Sequence, residues 1–141
     1  MESFHGTLQA AAAHLATGAV DVTLGGGELG RGFYSGQYLH QAKAWAAHKS
    51  RGMEKQLNVV SFSVTETDLW QLNIVPLDRI AAVANCIKIK RQDSTRTFQF
   101  EADLVWAPIV GTGRINGDQY KWESALAQLL LNGAQVVRGL I

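Results

Sequence analysis

Hydrophobic positions recur along this chain at two spacings, and each change of spacing marks an element. Residues 2–6 form a short candidate strand. Thr7 then precedes LQAAAAHLATG, an alanine-rich run closed by Gly18, which predicts a helix with Thr7 as its N-cap. Val20 to Leu24 reads as extended. A glycine-rich loop follows, and residues 32–34 form a short strand. Tyr38 to Lys49 carries apolar residues at 38, 39, 42, 45 and 46, a helical stripe that stops near Gly52. Gln56 to Val64 is β-branched and apolar, as a core strand requires. Thr65 or Thr67 caps a short helix in TDLWQL, and Pro76 breaks the chain. Leu77 to Lys90 predicts a helix with Ile80, Val83, Ala84 and Ile87 on its packed face, although IKIK could also be extended. Thr97 to Val110 reads as one or two strands ending at Pro108. After a loop with Gly111, Gly113 and Gly117 come a brief strand at 119–123, a helix capped by Ser124, and a terminal strand in AQVVRGLI.

The chain has 141 residues, 47% of them hydrophobic and 18% charged, enough for one domain (1–141) with a single core. Neither an internal repeat nor an interdomain linker is visible. The net charge of +1 selects no partner class. Arg79, Lys88, Lys90, Arg91 and Arg96 against Asp93 alone make one basic stretch, either a solvated face or a polyanion contact. With one cysteine, Cys86, there is no internal disulfide and no cysteine-based metal site. His5, His14, His40 and His48 form no metal-ligand spacing with carboxylates, so no metal is expected. No apolar run reaches the ~18 residues of a membrane span, and no secretory signal is seen. The abrupt start suits a domain taken from a longer protein with an added Met1.

GGGELGRGFYSG, residues 25–36, matches the dinucleotide pattern G-x-G-x-x-G at Gly25, Gly27 and Gly30. That fingerprint must open a helix, so that a pyrophosphate rests on the helix N-terminus. Here Phe33 and Tyr34 follow, and no acidic residue stands about 20 positions on. A Rossmann site is therefore excluded. Bare backbone that can approach a ligand closely remains a use for the glycines.

Three stretches together resemble the ADP-ribosyltransferase superfamily, on its diphtheria-toxin and poly(ADP-ribose) polymerase branch. His5-Gly6-Thr7 looks like the H-G-T/S motif of that branch's first strand. Gly30-Arg31-Gly32-Phe33-Tyr34 is similar to its G-K-G-I-Y, and the helix QAKAWA follows where the family also has one. Asp103 to Pro108 with Asp118 to Ser124 looks like the C-terminal half of uncharacterised bacterial domains of this kind, with D-x-V-x-x-P ahead of Q-x-x-[FW]-x-[ST]. The order spans residues 4 to 141. GGGELGRGFY and QYKWES also look like C-terminal toxin domains of Rhs-type polymorphic toxins.

The resemblance implies an α+β fold of two small antiparallel sheets around an NAD+ cleft, with flanking helices. NAD+ would be a substrate, with no metal. Cleaving nicotinamide from ribose passes through an oxocarbenium-like state, which needs the ribose held, the leaving ring fixed and positive charge stabilised. His5 is the candidate for a ribose hydroxyl, Gly6 for the carboxamide through its backbone, and Thr7 for a hydroxyl contact. Tyr34 can stack on the cationic ring, with Gly32 beside it and Tyr38 as a second wall or a packing residue. Arg31 and Ser35 are candidates for the pyrophosphate. Gln119 matches the motif position that completes the site. Glu123 is its rival, because a glutamine supplies no negative charge; Glu101 ranks third. Trp45, Trp70 and Trp106 read as core, and Trp122 as core or site wall.

The expected function is mono-ADP-ribosyl transfer to a macromolecular acceptor, with the translation machinery as first target pathway and protein favoured over RNA. By the same resemblance, the domain would be the tip of a larger secreted toxin with a cognate immunity protein, acting in a target-cell cytoplasm. NAD+ hydrolysis and a non-catalytic binding module are the alternatives.

Overall fold

The computed structural model describes residues 1–49, 51 and 57–141. The expected helix stop at Gly52 and strand start at Gln56 lie outside the described residues. The elements are β1 (Glu2–Leu8), α1 (Gln9–Ala16), β2 (Phe33–Gly36), α2 (Leu39–Lys49), β3 (Leu57–Ser63), α3 (Glu66–Leu69), β4 (Ile74–Pro76), α4 (Arg79–Arg91), β5 (Leu104–Pro108), β6 (Asp118–Trp122), α5 (Ala125–Asn132) and β7 (Val137–Leu140). The fold is thus mixed α+β.

Instead of two sheets, the described residues form one, in the order β4-β5-β6-β2-β1-β3-β7. It is mixed, because β4 and β5 run parallel while every other pair is antiparallel. The expectation of two sheets nonetheless has a counterpart. β1 and β3 register along seven residue pairs, from Glu2↔Ser63 to Leu8↔Leu57. β1 and β2 register at Phe4↔Gly36 alone. Continuing that register would set Gly6 opposite Tyr34, but the strands part first. The sheet therefore consists of two halves joined at one pair, with a cleft where the ladder stops.

The two halves share a core that includes Phe62, Leu104, Trp122 and Leu131, all fully buried. Helix α2 lies over β1, with Ala42 and Ala46 buried against it. A Cβ at Gly6 would come within 1.7 Å of the Ala42 carbonyl oxygen, so only glycine allows the helix this close.

Several expected elements differ. Thr7 is not an N-cap: it pairs with Asn58 inside β1, and Leu8 ends the strand without a side-chain cap. Strand pairing with β3 has overridden the local capping preference. Val20 to Leu24 is irregular rather than extended, and the Asn132 and Gln128 side chains satisfy the backbone of Val20 and Val22. Of residues 97–110, only Leu104–Pro108 is strand. Thr65 caps α3 and Ser124 caps α5, each accepting from a backbone N–H three residues on.

Helix α4 turns the opposite face inward. Ala82, Cys86 and Ile89 are buried, while Ile80 is 82% and Ile87 46% exposed. Both stripes have helical spacing. On the buried stripe Ala82 packs with Leu29, Ala102, Val105 and Ala107 in one cluster. Trp70 is 70% exposed, not core.

Candidate functional site

The parting of β1 and β2 opens a cavity of about 380 Å³, within the range of small-molecule pockets. Its walls come from the end of β1, from β2, from the glycine-rich loop, from α2 and from Gln119 on β6. His5, Gly6, Gly32, Tyr34, Ser35 and Gln119, separated by up to 114 positions in the chain, all line it.

His5 bridges the split. Its Nδ1 lies 2.6 Å from the Tyr34 carbonyl oxygen. A carbonyl only accepts, so Nδ1 carries the hydrogen and donates it. Nε2 is then the acceptor of the neutral ring. The ring stacks on Phe33 at 4.5 Å between centroids. Burial, then the Lys49 charge, hold its pKa down at about 4 against the hydrogen bond to Tyr34, so His5 is uncharged at neutral pH.

The glycine-rich loop folds over Tyr34. The tyrosine hydroxyl donates to the Gly30 carbonyl at 2.5 Å and accepts from the Leu29 N–H at 3.1 Å. Gly30 has φ +88°, and a Cβ there would meet the Phe98 carbonyl oxygen at 2.3 Å. The loop can close on the ring only with glycine at this turn. Burial raises the Tyr34 pKa, and the Glu28 charge adds to the rise, so the phenol stays protonated.

Gln119 faces Gly36 on β2 and Ala107 on β5. Its Nε2 donates to Glu28 Oε1 and, at 3.5 Å, reaches the Pro108 carbonyl. Glu28 is the one carboxylate among the described lining residues. It also accepts from the backbone N–H of Val110 at 2.9 Å and of Gly111 at 2.7 Å. Trp45, Lys49 and Arg96 complete the mouth, with the Lys49 ammonium donating to the Gly6 carbonyl at 2.9 Å. Beside the mouth a second depression shares Gly26, Gly27, Glu28, Trp45 and Arg96 and adds Lys90. Arg96 and Lys90 thus border the opening together with Lys49.

The remaining candidates lie elsewhere. Glu123 is buried behind the cavity, paired with Lys121 and accepting from Phe100 N at 2.7 Å and Ala102 N at 2.9 Å. It directly follows the last residue of β6 and is not among the residues that line the cavity. Glu101 is exposed in an irregular turn with φ 59° and lines no part of the cavity. Thr7 is buried against β3 and stands outside the lining. Arg31 also lies outside: its backbone is tied to Phe98 and Lys121. Tyr38 is exposed and stacks on His40 instead of walling the ring slot. Ser35 does line the cavity, but its hydroxyl accepts from Trp122 Nε1 at 2.9 Å. Trp122 is core, fully buried. Trp45 is 43% exposed on the cavity rim. Trp106 is half-buried, its Nε1 donating to Asp118.

No family model matches this chain, and no curated protein matches it either.

Sequence motifs alone do not mark Glu28, Lys49, Arg96 and Trp45 as site residues. Glu28 meets its partners 82 to 91 positions away, so no local spacing points to it. The one available signal is an acidic residue inside a run of glycines, where a carboxylate has unusual access to backbone N–H groups.

Proposed function

We propose that the chain binds NAD+ in this cavity and transfers its ADP-ribose to a macromolecular acceptor. One observation carries the proposal: the residues that the family resemblance marks out, His5, Gly6, Tyr34 and Gln119, line a single cavity at the split between β1 and β2.

Each wall has a chemistry suited to this substrate. The neutral His5 offers Nε2 to a ribose hydroxyl. The Tyr34 ring, fixed by two hydrogen bonds at its hydroxyl, offers a face to a flat cationic ring. Gly6 keeps one carbonyl lone pair beside the Lys49 contact for a carboxamide N–H. Arg96 and Lys90, rather than Arg31, suit the diphosphate, because they border the opening. In the reaction, the bond between ribose C1′ and the nicotinamide nitrogen breaks, and both electrons leave with the neutral ring. The acceptor's hydroxyl, amine or amide then bonds to C1′ and releases a proton.

The test is incubation of the chain with NAD+ labelled on the adenylate and a bacterial lysate, beside His5→Ala and Tyr34→Ala. The expected outcome is label on a discrete macromolecule, sensitive to protease or RNase according to its nature, and lost by ~10²-fold or more in both variants. Nicotinamide release with free ADP-ribose as sole product would replace transfer by hydrolysis. Absence of both, with no NAD+ binding by calorimetry, would refute the proposal.

A further inference from the structure

We infer that Glu28 supplies the negative charge of the active site, acting through Gln119, whose amide it orients and polarises. This rests on the NAD+ reading above and deepens it.

An oxocarbenium-like state is stabilised by a fixed negative charge nearby, and a neutral amide provides only a dipole. Gln119 by itself is therefore an incomplete answer to the chemistry. Glu123 cannot complete it: the Lys121 ammonium cancels its charge inside the core, and it is not among the residues that line the cavity. Glu28 stands in the cavity wall and touches Gln119 directly. Among the described residues its three donors are all neutral: two backbone N–H groups and one amide. No ammonium or guanidinium forms an ion pair with it among the described residues.

The contact also fixes how Gln119 points. A carboxylate only accepts, so the amide nitrogen must face Glu28. The amide oxygen then projects from the opposite corner of the planar group. Donation to a carboxylate draws electron density toward that oxygen, which strengthens it as an acceptor for a ribose hydroxyl. Glu28 is thus a positioning residue: charge resides on the loop, and contact is made from the strand. The same loop holds Tyr34 through Leu29 and Gly30, so ring slot and charge are set by one segment.

The test compares Glu28→Gln with the exchange variant Glu28→Gln/Gln119→Glu. In both, the new amide at position 28 can still pair with position 119, and the exchange returns one carboxylate to the pair. Nicotinamide release is followed for kcat and KM, NAD+ affinity is measured by calorimetry, and folding by thermal melts. For Glu28→Gln the expected result is a kcat lower by ~10²-fold or more with NAD+ affinity within about threefold of the parent. The exchange variant should regain at least about tenfold of that loss. A residue that merely staples the loop would instead lose affinity together with kcat, and moving the carboxylate to position 119 would restore nothing. Either of those results, or full kcat in Glu28→Gln, overturns the assignment while leaving the NAD+ reading intact. A parent chain that releases no nicotinamide from NAD+ overturns both.

Discussion

Glu28 and Glu123 sit in matching cradles at opposite ends of β6. Each carboxylate accepts from two backbone N–H groups of an irregular segment, Val110 and Gly111 for Glu28, Phe100 and Ala102 for Glu123. Each also meets one side chain of β6, Gln119 or Lys121. The difference lies in that last partner and in the surroundings. Lys121 is charged and the pair has almost no exposure, so the two charges cancel in the core. Gln119 is neutral and lines a cavity, so the Glu28 charge faces a space that a ligand can enter. A buried carboxylate is thus evidence of function only when its charge is left for something else to neutralise.

The comparison can be broken most directly at Glu123. Replacing it by alanine leaves Lys121 without a counter-charge in a site of zero exposure and orphans two backbone donors. The expected loss is about 3–5 kcal/mol of folding stability, measured by urea unfolding. A loss below about 1 kcal/mol would show that the pair is solvated in solution, and the contrast with Glu28 would collapse.

His5 extends the comparison to a group that burial leaves uncharged. Its pKa is about 4 when folded, against 6.5 as the ordinary value. Between those limits the unfolded chain binds a proton that the folded chain refuses, so stability rises with pH there. It is full above about pH 6.5 and lost as pH falls toward about 4, by about 3 kcal/mol in total. Carboxylates contribute to acid unfolding as well. The part due to His5 is the difference in slope between the parent and His5→Gln, read from urea midpoints across that window. Equal slopes would mean that the imidazole is hydrated and free to take its charge.

What can be read from the sequence follows the same division between local and distant causes. The β-branched run of β3, the Thr65 and Ser124 caps and the helix α2 are written in adjacent residues, and the structure has them, although Tyr38 and Trp45 of the α2 stripe are exposed and Gln41 is buried in their place. The converging residues His5, Gly6, Tyr34 and Gln119 are reachable because short motifs carry them. Thr7 misleads because pairing with β3 outweighs a cap, and α4 because two stripes of equal period differ only in what they must fit against. The single-pair junction of β1 and β2 depends on where two distant strands part, which no periodicity encodes. The choice between Gln119 and Glu123 stays open in the sequence for a related reason. Neither residue announces its partner, and the carboxylate that stands beside Gln119 comes from a loop about ninety positions earlier.

The smallest expected effect sharpens the comparison from the other side. Glu28→Gln keeps the side-chain length, and its amide oxygen can still accept from Val110 or Gly111, though not from both. The bond to Gly111 lies at the exposed edge of the cradle, where water replaces it at little cost. The expected loss of stability is about 1 kcal/mol, a shift of a few degrees in Tm for a chain of this size. Glu28→Ala, which orphans both donors, should lose about 1 kcal/mol more. If Glu28→Gln instead destabilised the fold as much as Glu123→Ala does, the loop cradle would be as structural as the core one. The Glu28 charge would then be tied to holding residues 110 and 111 in place, and its orientation toward the cavity would follow from packing rather than from chemistry.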